Sequence, residues 1–258
     1  MATKILALSC SASQRKRLAK LQAKKAKRKL EKTRKREVNR ENVCRLVEEG
    51  SYISKRQLKQ NLDVKIRQAF DVGVKLCIDC SYESCMSQKE CNKFAQQLCR
   101  AYGANRKHNN PVSLHLVNFS PSGRIATACK IKCDGFEHYV IGKHSDLPRN
   151  VFDKNVIYLS PDAPEPLLDI SDDCVYVIGC LIDEHLMKGK SLEEANAQQC
   201  KAVHLPIPEF IDSANKTFKS PVLTVNQVVE LILAYLDNDR DWKQAILSAV
   251  PGRFLKCV

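Results

Sequence analysis

Apolar positions divide the chain into two stretches of different character. Between residues 14 and 49 there is neither glycine nor proline, and Ala, Leu, Lys, Arg and Glu dominate, so helix is the favoured local state. Its apolar positions are too sparse to cover a core. From Val74 the pattern changes to short β-branched runs separated by helical segments. Strands are expected over residues 75–78, 113–117, 138–141, 156–159, 175–178 and 201–205. Helix starts are marked by capping boxes, a Ser or Thr with Glu or Gln three residues on. Ser87 with Glu90 opens one, whose apolar face is Cys91, Phe94, Ala95, Leu98 and Tyr102. Ser191 with Glu194 opens the next, and Thr224 with Gln227 a third with Val225, Val228, Val229, Ile232 and Leu236 on one face. Asp241 with Gln244 caps a last short helix carrying the only tryptophan, Trp242.

Strands alternating with helices predict an α/β fold, a mostly parallel sheet with helices on both faces. The division read from the pattern is a basic, helical or disordered arm over residues 1–73, an α/β domain over 74–252 and a short tail over 253–258. Ligands of such sheets bind beyond the carboxyl ends of the strands.

The net charge of +13 becomes informative once located. Residues 1–45 hold sixteen Lys and Arg against the three acids Glu31, Glu37 and Glu41, while the remaining chain holds twenty-six of each sign. The whole excess therefore sits in the arm. Three readings fit it: a solvated tail, a nuclear-import signal, or a clamp on an RNA backbone, since clustered Lys and Arg release counterions from phosphates. The downstream residues favour the clamp.

Thirteen cysteines, an odd number, argue against a complete extracellular disulfide framework and for a reducing compartment. Cys77 and Cys80 form a Cys-x-x-Cys with Cys85 and Cys91 beyond, but residues three apart on a strand face opposite ways. No second pair follows at finger spacing, so these cysteines are read as core residues and no metal is expected. No apolar run approaches a membrane span, and a basic tract follows residues 5–8 where a cleavage site should be. The expectation is a soluble, non-secreted protein without a membrane partner, nuclear or cytoplasmic ahead of mitochondrial.

Signatures of several enzyme classes are missing. The chain has no Gly-x4-Gly-Lys-Ser/Thr, no Gly-x-Gly-x-x-Gly after a strand and no Gly-x-Ser-x-Gly. P-loop hydrolysis, dinucleotide-dependent redox chemistry and serine hydrolysis are disfavoured accordingly. Three loops remain as candidates for chemistry: residues 158–164, 174–185, and 205–208 with 222–226. In the second, a buried strand delivers Asp183 just past its end, a place where an acid is either functional or an ordinary strand-exit residue.

At these loops the chain resembles a known family. Tyr158-Leu159-Ser160-Pro161-Asp162, Val175 through Gly179-Cys180-Leu181-Ile182-Asp183, Lys188-Gly189, Leu205-Pro206-Ile207 and Val222-Leu223-Thr224-Val225-Asn226 are similar to the motif series of the tRNA (purine-9, N1)-methyltransferases of the SPOUT superfamily. Residues 76–81, 100–107, 241–245 and Val250-Pro251 extend the likeness in order and spacing. The resemblance implies a C-terminal trefoil knot and S-adenosyl-L-methionine as cofactor, held by Leu159, Gly179, Cys180, Glu184, His185, Leu186, Met187, Lys188, Leu205, Val222, Leu223 and Thr224. It implies Asp183 as general base, and Asp79, Gln97 and Arg106 near the substrate pocket. The implied partner is tRNA, gripped by the arm and by residues 120–150, and the implied state is monomeric.

One position departs from the family pattern. Relatives usually carry glycine where this chain has Cys180; a side chain at such a place can crowd the cofactor, and because cysteine is small the expected effect is altered cofactor affinity rather than loss. Cys180 is also the one hint of a rival reading, a non-catalytic tRNA-binding protein that keeps the fold. A conventional open-sheet methyltransferase is a second rival, disfavoured because no glycine-rich loop follows the first strand. Guanine and adenine both remain open as the target base.

Overall fold

The computed structural model describes residues 11–182, 188–211, 216–218, 223–250 and 255–257. It divides into two compact units, residues 1–58 and 59–258. The first is dominated by helix α1 (Ala12–Glu48), closed at its start by a reciprocal capping box between Ser11 and Gln14. No residue of α1 is buried. Its stability as a helix therefore comes from propensity and local pairs such as Glu31–Lys35, 2.9 Å apart, rather than from packing.

Helix α2 (Lys55–Val72) begins in the first unit and ends in the second, where Ile66 and Ala69 are buried. The second unit thus starts ahead of Val74, where the alternating pattern begins. Its sheet has six parallel strands: β1 (Lys75–Asp79), β2 (Ser113–Val117), β3 (Gly142–Lys143), β4 (Asn155–Leu159), β5 (Cys174–Gly179) and β6 (Lys201–Val203). Their order is β3-β2-β1-β5-β4-β6, every pair parallel. The expected α/β class is the one observed.

Both faces of the sheet are covered, as a parallel sheet requires. Leu76, Ile78, Leu114, Leu116, Tyr176 and Ile178 face α3 (Gln88–Lys107), α4 (Arg124–Lys132) and α8 (Val225–Asp237) in the main core. The alternate residues Cys77, Val117, Val175, Val177 and Tyr158 form a smaller cluster with Ala195 of α6 (Lys190–Ala197). Cys77 lies in one cluster and Cys80 in the other, so the Cys-x-x-Cys is split across the sheet. The remaining elements are the short turn α5 (Pro148–Val151), α7 (Ile207–Ile211), α9 (Trp242–Ala249) and an antiparallel pair, β7 (Lys216–Phe218) with β8 (Leu255–Cys257). No helix among the described residues is long and apolar enough to cross a membrane.

Two elements differ from expectation. The strand expected over 138–141 is instead the end of a 3-10 turn (Phe136–His138) and a linker, with β3 starting at Gly142. Apolar residues there pack rather than pair: Tyr139 stacks on Tyr102 at 3.9 Å, and Tyr102 Oη accepts from Val140 N–H. The Ser191/Glu194 capping box does not form. Gly189, at φ 77°, caps α6, and Ser191 sits inside the helix with its hydroxyl donating to Ser160 Oγ at 2.9 Å. The other three expected caps hold, at Ser87, Thr224 and Asp241.

His115 is buried in the middle of β2 between the rings of Phe70 and Phe152. Ser113 donates its hydroxyl to Phe70 C=O at 2.5 Å, so it accepts from His115 Nε2–H at 2.9 Å. His115 Nδ1 is then the acceptor for His144 Nε2–H at 3.2 Å, a chain that needs His115 neutral. Gly142 passes so close that a Cβ would lie 2.0 Å from His115 Nδ1. Burial, and next the neighbouring His144, push His115 down to about 3. An unfolded histidine titrates near 6.5, so between these values the unfolded chain binds more protons and stability falls as pH falls. Urea unfolding should show the wild type losing up to about 2 kcal/mol more than His115→Gln between pH 7 and pH 5. Equal losses would show that His115 is not held neutral.

Candidate functional site

Strand order reverses between β1 and β5: β2 and β3 lie to one side of that pair, β4 and β6 to the other. At such a switch point the loops leaving neighbouring strands diverge and open a crevice at the carboxyl ends. Asp79 and Gly179 are the last register pair of the β1–β5 ladder, and Leu159 pairs with Ile178 and Val203 on either side of β4. The exits of β1, β5, β4 and β6 therefore share one edge of the sheet.

The β4 exit is tied to the start of α6. Ser160 N–H donates to Val203 C=O at 2.9 Å, its hydroxyl accepts from Ser191, and Asp162 Oδ2 accepts from Gly189 N–H at 2.9 Å. These bonds anchor the far end of the loop that leaves β5. At its near end Ile182 N–H meets Met86 Sδ at 3.4 Å. Asp183, Glu184, His185, Leu186 and Met187 of that loop, and Val222, lie outside the described residues. Lys188 is exposed.

Of the other implied cofactor contacts, Leu159 is buried, and Leu205 and Leu223 are half-buried against the main core. Thr224 is exposed and caps α8, its N–H donating to Gln227 Oε1 at 2.9 Å. Gly179 is needed by its own neighbour: a Cβ there would lie 3.2 Å from Tyr82 Cε2. The Tyr82 ring is buried, and its Oη has no hydrogen-bond partner among the described residues. Burial first, then the charge of Asp79, raises that phenol above its ordinary range.

This set suits a nucleoside. Leu159 and Leu205 at strand exits and Leu223 ahead of α8 give it the apolar character that small-molecule sites favour. Cys180 follows β5 directly. Its side chain is fully buried in the main core and hydrogen-bonds Cys80, whose thiol is pushed well above its usual range by that bond and by burial. The Cys180 thiol therefore fills core space.

The second group of implied substrate residues is engaged inside the protein. Asp79 is fully buried: Oδ1 accepts from Ser81 N–H at 2.9 Å and Asn118 Nδ2 at 2.7 Å, and Oδ2 from Tyr158 Oη at 3.2 Å. Gln97 Oε1 accepts from Val225 N–H at 3.0 Å and so completes the start of α8. Arg106 grips Asp63 through Nε and Nη2 at 3.1 and 2.6 Å. The 120–150 segment contributes α4, whose Ile125, Ala126, Ala128 and Cys129 are buried. Glu83 caps α4 from the β1 exit, accepting from Arg124 N–H at 2.9 Å and Ile125 N–H at 3.1 Å. Sequence reasoning missed Asn118, Glu83 and Met86, and named Tyr158 only as part of the 158–164 loop; a local signal for Asn118 was its place directly after a strand, where φ is 50°.

Fold and site together define an α/β protein with a candidate ligand site at the exits of β4, β5 and β6. The model of the family described as tRNA (guanine(9)-N(1))-methyltransferase TRM10/TRM10A matches residues 8–255, and the chain belongs to that family. It is 33% identical over 234 residues to tRNA methyltransferase 10 homolog B of Danio rerio, covering 90% of this chain and 74% of the relative. The homolog B of Rattus norvegicus is 36% identical, over 78% of this chain and 64% of its own length. The tRNA (guanine(9)-N1)-methyltransferase of Schizosaccharomyces pombe is 30% identical, over 85% and 70%. Among solved structures, the full-length spTrm10 complex with SAH aligns at a TM-score of 0.61 and 28% identity, covering 69% of this chain and 95% of that one.

Because Cys180 fills core space rather than the ligand site, Cys180→Gly should destabilise the protein by about 1–2 kcal/mol through poorer packing and added backbone freedom. Thermal melting with and without S-adenosylhomocysteine measures this. An unchanged melting temperature with tighter ligand binding would return Cys180 to the ligand site.

Proposed function

We propose that this chain transfers the methyl group of S-adenosyl-L-methionine to N1 of the purine at position 9 of tRNA, with guanine as the first candidate and adenine as the alternative. The observation that carries the reading is the family match over residues 8–255, which takes in the arm as well as the sheet. When bound, S-adenosyl-L-methionine supplies an activated methyl group. Leu159, Leu205, Leu223 and the backbone at Gly179 and Cys180 would hold it, with residues 184–188 as the further contacts that the family likeness implies. The family likeness further implies a knotted C-terminal segment, with Val222 and Thr224 as additional cofactor contacts.

Guanine N1 carries a proton at neutral pH, which must leave as the new carbon–nitrogen bond forms. Asp183 takes it, directly or through one water, as a carboxylate placed just beyond the β5 exit. Adenine N1 already has a free lone pair, so there the carboxylate only orients the base. The target base is presented out of its stack, as chemistry on a ring nitrogen requires. The rest of the grip comes from the arm, whose phosphate contacts position the RNA without reading its sequence.

Asp183→Asn keeps size and one acceptor but cannot take a proton. Single-turnover transfer to a guanine-9 transcript should fall by roughly 10² to 10⁴, and transfer to the adenine-9 transcript by much less. Equal, small losses on both would remove Asp183 from proton transfer.

Deleting residues 1–45 removes the whole charge excess. Affinity for tRNA should drop, and the slope of log affinity against log salt should flatten by about one for each phosphate that the arm no longer neutralises, with S-adenosylhomocysteine affinity unchanged. A slope that stays the same would reduce the arm to a solvated tail.

A further inference from the structure

Asp79 stands where the exits of four strands meet. It is the last residue of β1, and its carboxylate is 0% exposed. Three donors reach it: the backbone of Ser81, which opens the turn after β1, Asn118, which follows β2, and Tyr158, near the end of β4. Its backbone C=O accepts from Cys180 N–H at 2.9 Å, the first residue after β5. Tyr158 is itself fully buried, with its phenol raised first by burial and next by the charge of Asp79, so it stays a donor. A carboxylate enclosed in this way has no surface to offer a nucleobase.

We propose that Asp79 is a positioning residue: its buried carboxylate clamps the exits of β1, β2 and β4, and its carbonyl that of β5, so that the loop carrying Asp183 leaves the sheet in one direction. The inference rests on the methyl-transfer reading. Asn118 is the weakest member of the clamp sterically and the most informative chemically, because it holds φ 50° while donating the shortest of the three bonds, 2.7 Å. Few residues take that backbone conformation without strain, and asparagine and glycine are two of them.

Substitutions separate clamping from substrate binding. In Asp79→Asn the amide oxygen can keep both donors at Oδ1, and the Tyr158 hydroxyl turns to accept from the new NH₂, so the clamp survives without its charge. Asn118→Gly removes one donor with the backbone left unstrained. The expected results are a kcat within about 5-fold of wild type for Asp79→Asn, and a fall of about 10-fold or more for Asn118→Gly and Asp79→Ala, with KM for tRNA unchanged. The double variant Asp79→Ala/Asn118→Gly should be no slower than Asp79→Ala alone, since both remove one shared interaction. Deuterium uptake over residues 174–182, measured without cofactor or RNA, should rise in Asn118→Gly and stay at the wild-type level in Asp79→Asn. The reverse pattern, an inactive Asp79→Asn beside a fully active Asn118→Gly, would overturn the proposal and make the charge itself a substrate contact. Unchanged deuterium uptake in Asn118→Gly would overturn it as well. If Asp79→Ala does not fold, the Asp79→Asn and Asn118→Gly pair still decides. A wild-type protein that transfers no methyl would defeat the methyl-transfer reading, while the uptake comparison would still test the clamp.

Discussion

A parallel strand can occupy the centre of a sheet only if both its faces are covered, and the β1–β5 ladder from Lys75 with Val175 to Asp79 with Gly179 is that centre. Everything else in the second unit is arranged around this pair. Leu76, Ile78, Tyr176 and Ile178 fill one face, and Cys77, Val175 and Val177 the other. The strand order reverses here, the kind of point beyond whose carboxyl ends ligands of parallel sheets bind. The cost falls on the polar groups at the strand ends, which are buried and need partners within the protein. Asp79, Asn118, Tyr158, Ser160 and Ser191 supply them.

Charge is divided as sharply as structure. Residues 1–45 carry the entire excess of +13, while the rest of the chain balances to zero. A neutral sheet unit with leucine-lined exits suits an uncharged purine, and a solvated basic helix suits the phosphates around it. That helix buries nothing, so its charges stay fully hydrated until an anionic partner replaces the water. On the proposed reading, binding energy and chemistry come from different parts of one chain.

The layers of the fold were legible because the apolar periodicities are clean. Strands β1, β2, β4 and β5 alternate between two cores, and α3 and α8 carry capping boxes ahead of apolar faces at helical spacing. Helix α4 was illegible: Glu83, far away in sequence, caps it, and its own first residue follows an uncapped Gly123. The misplaced third strand has a similar cause, since Tyr139 and Val140 read as strand residues but are spent on Tyr102. Within the candidate site, motif likeness named the loops but could not say which side chains face inward. Cys180 reads as an intruder at a glycine position and proves to be a core residue, and Asp79 reads as a substrate residue and proves to be enclosed.

One chemical claim underlies the rest, that the site at the β4, β5 and β6 exits places a methyl group on the N1 nitrogen of a tRNA purine. The most direct measurement is incubation of the full chain with S-adenosyl-L-methionine and an unmodified tRNA transcript, followed by digestion and mass-spectrometric identification of the methylated nucleoside and its position. The expected product is an N1-methylpurine at position 9 and nowhere else. A protein that binds S-adenosylhomocysteine and tRNA but leaves position 9 unmethylated, or methylates another atom, would contradict the claim.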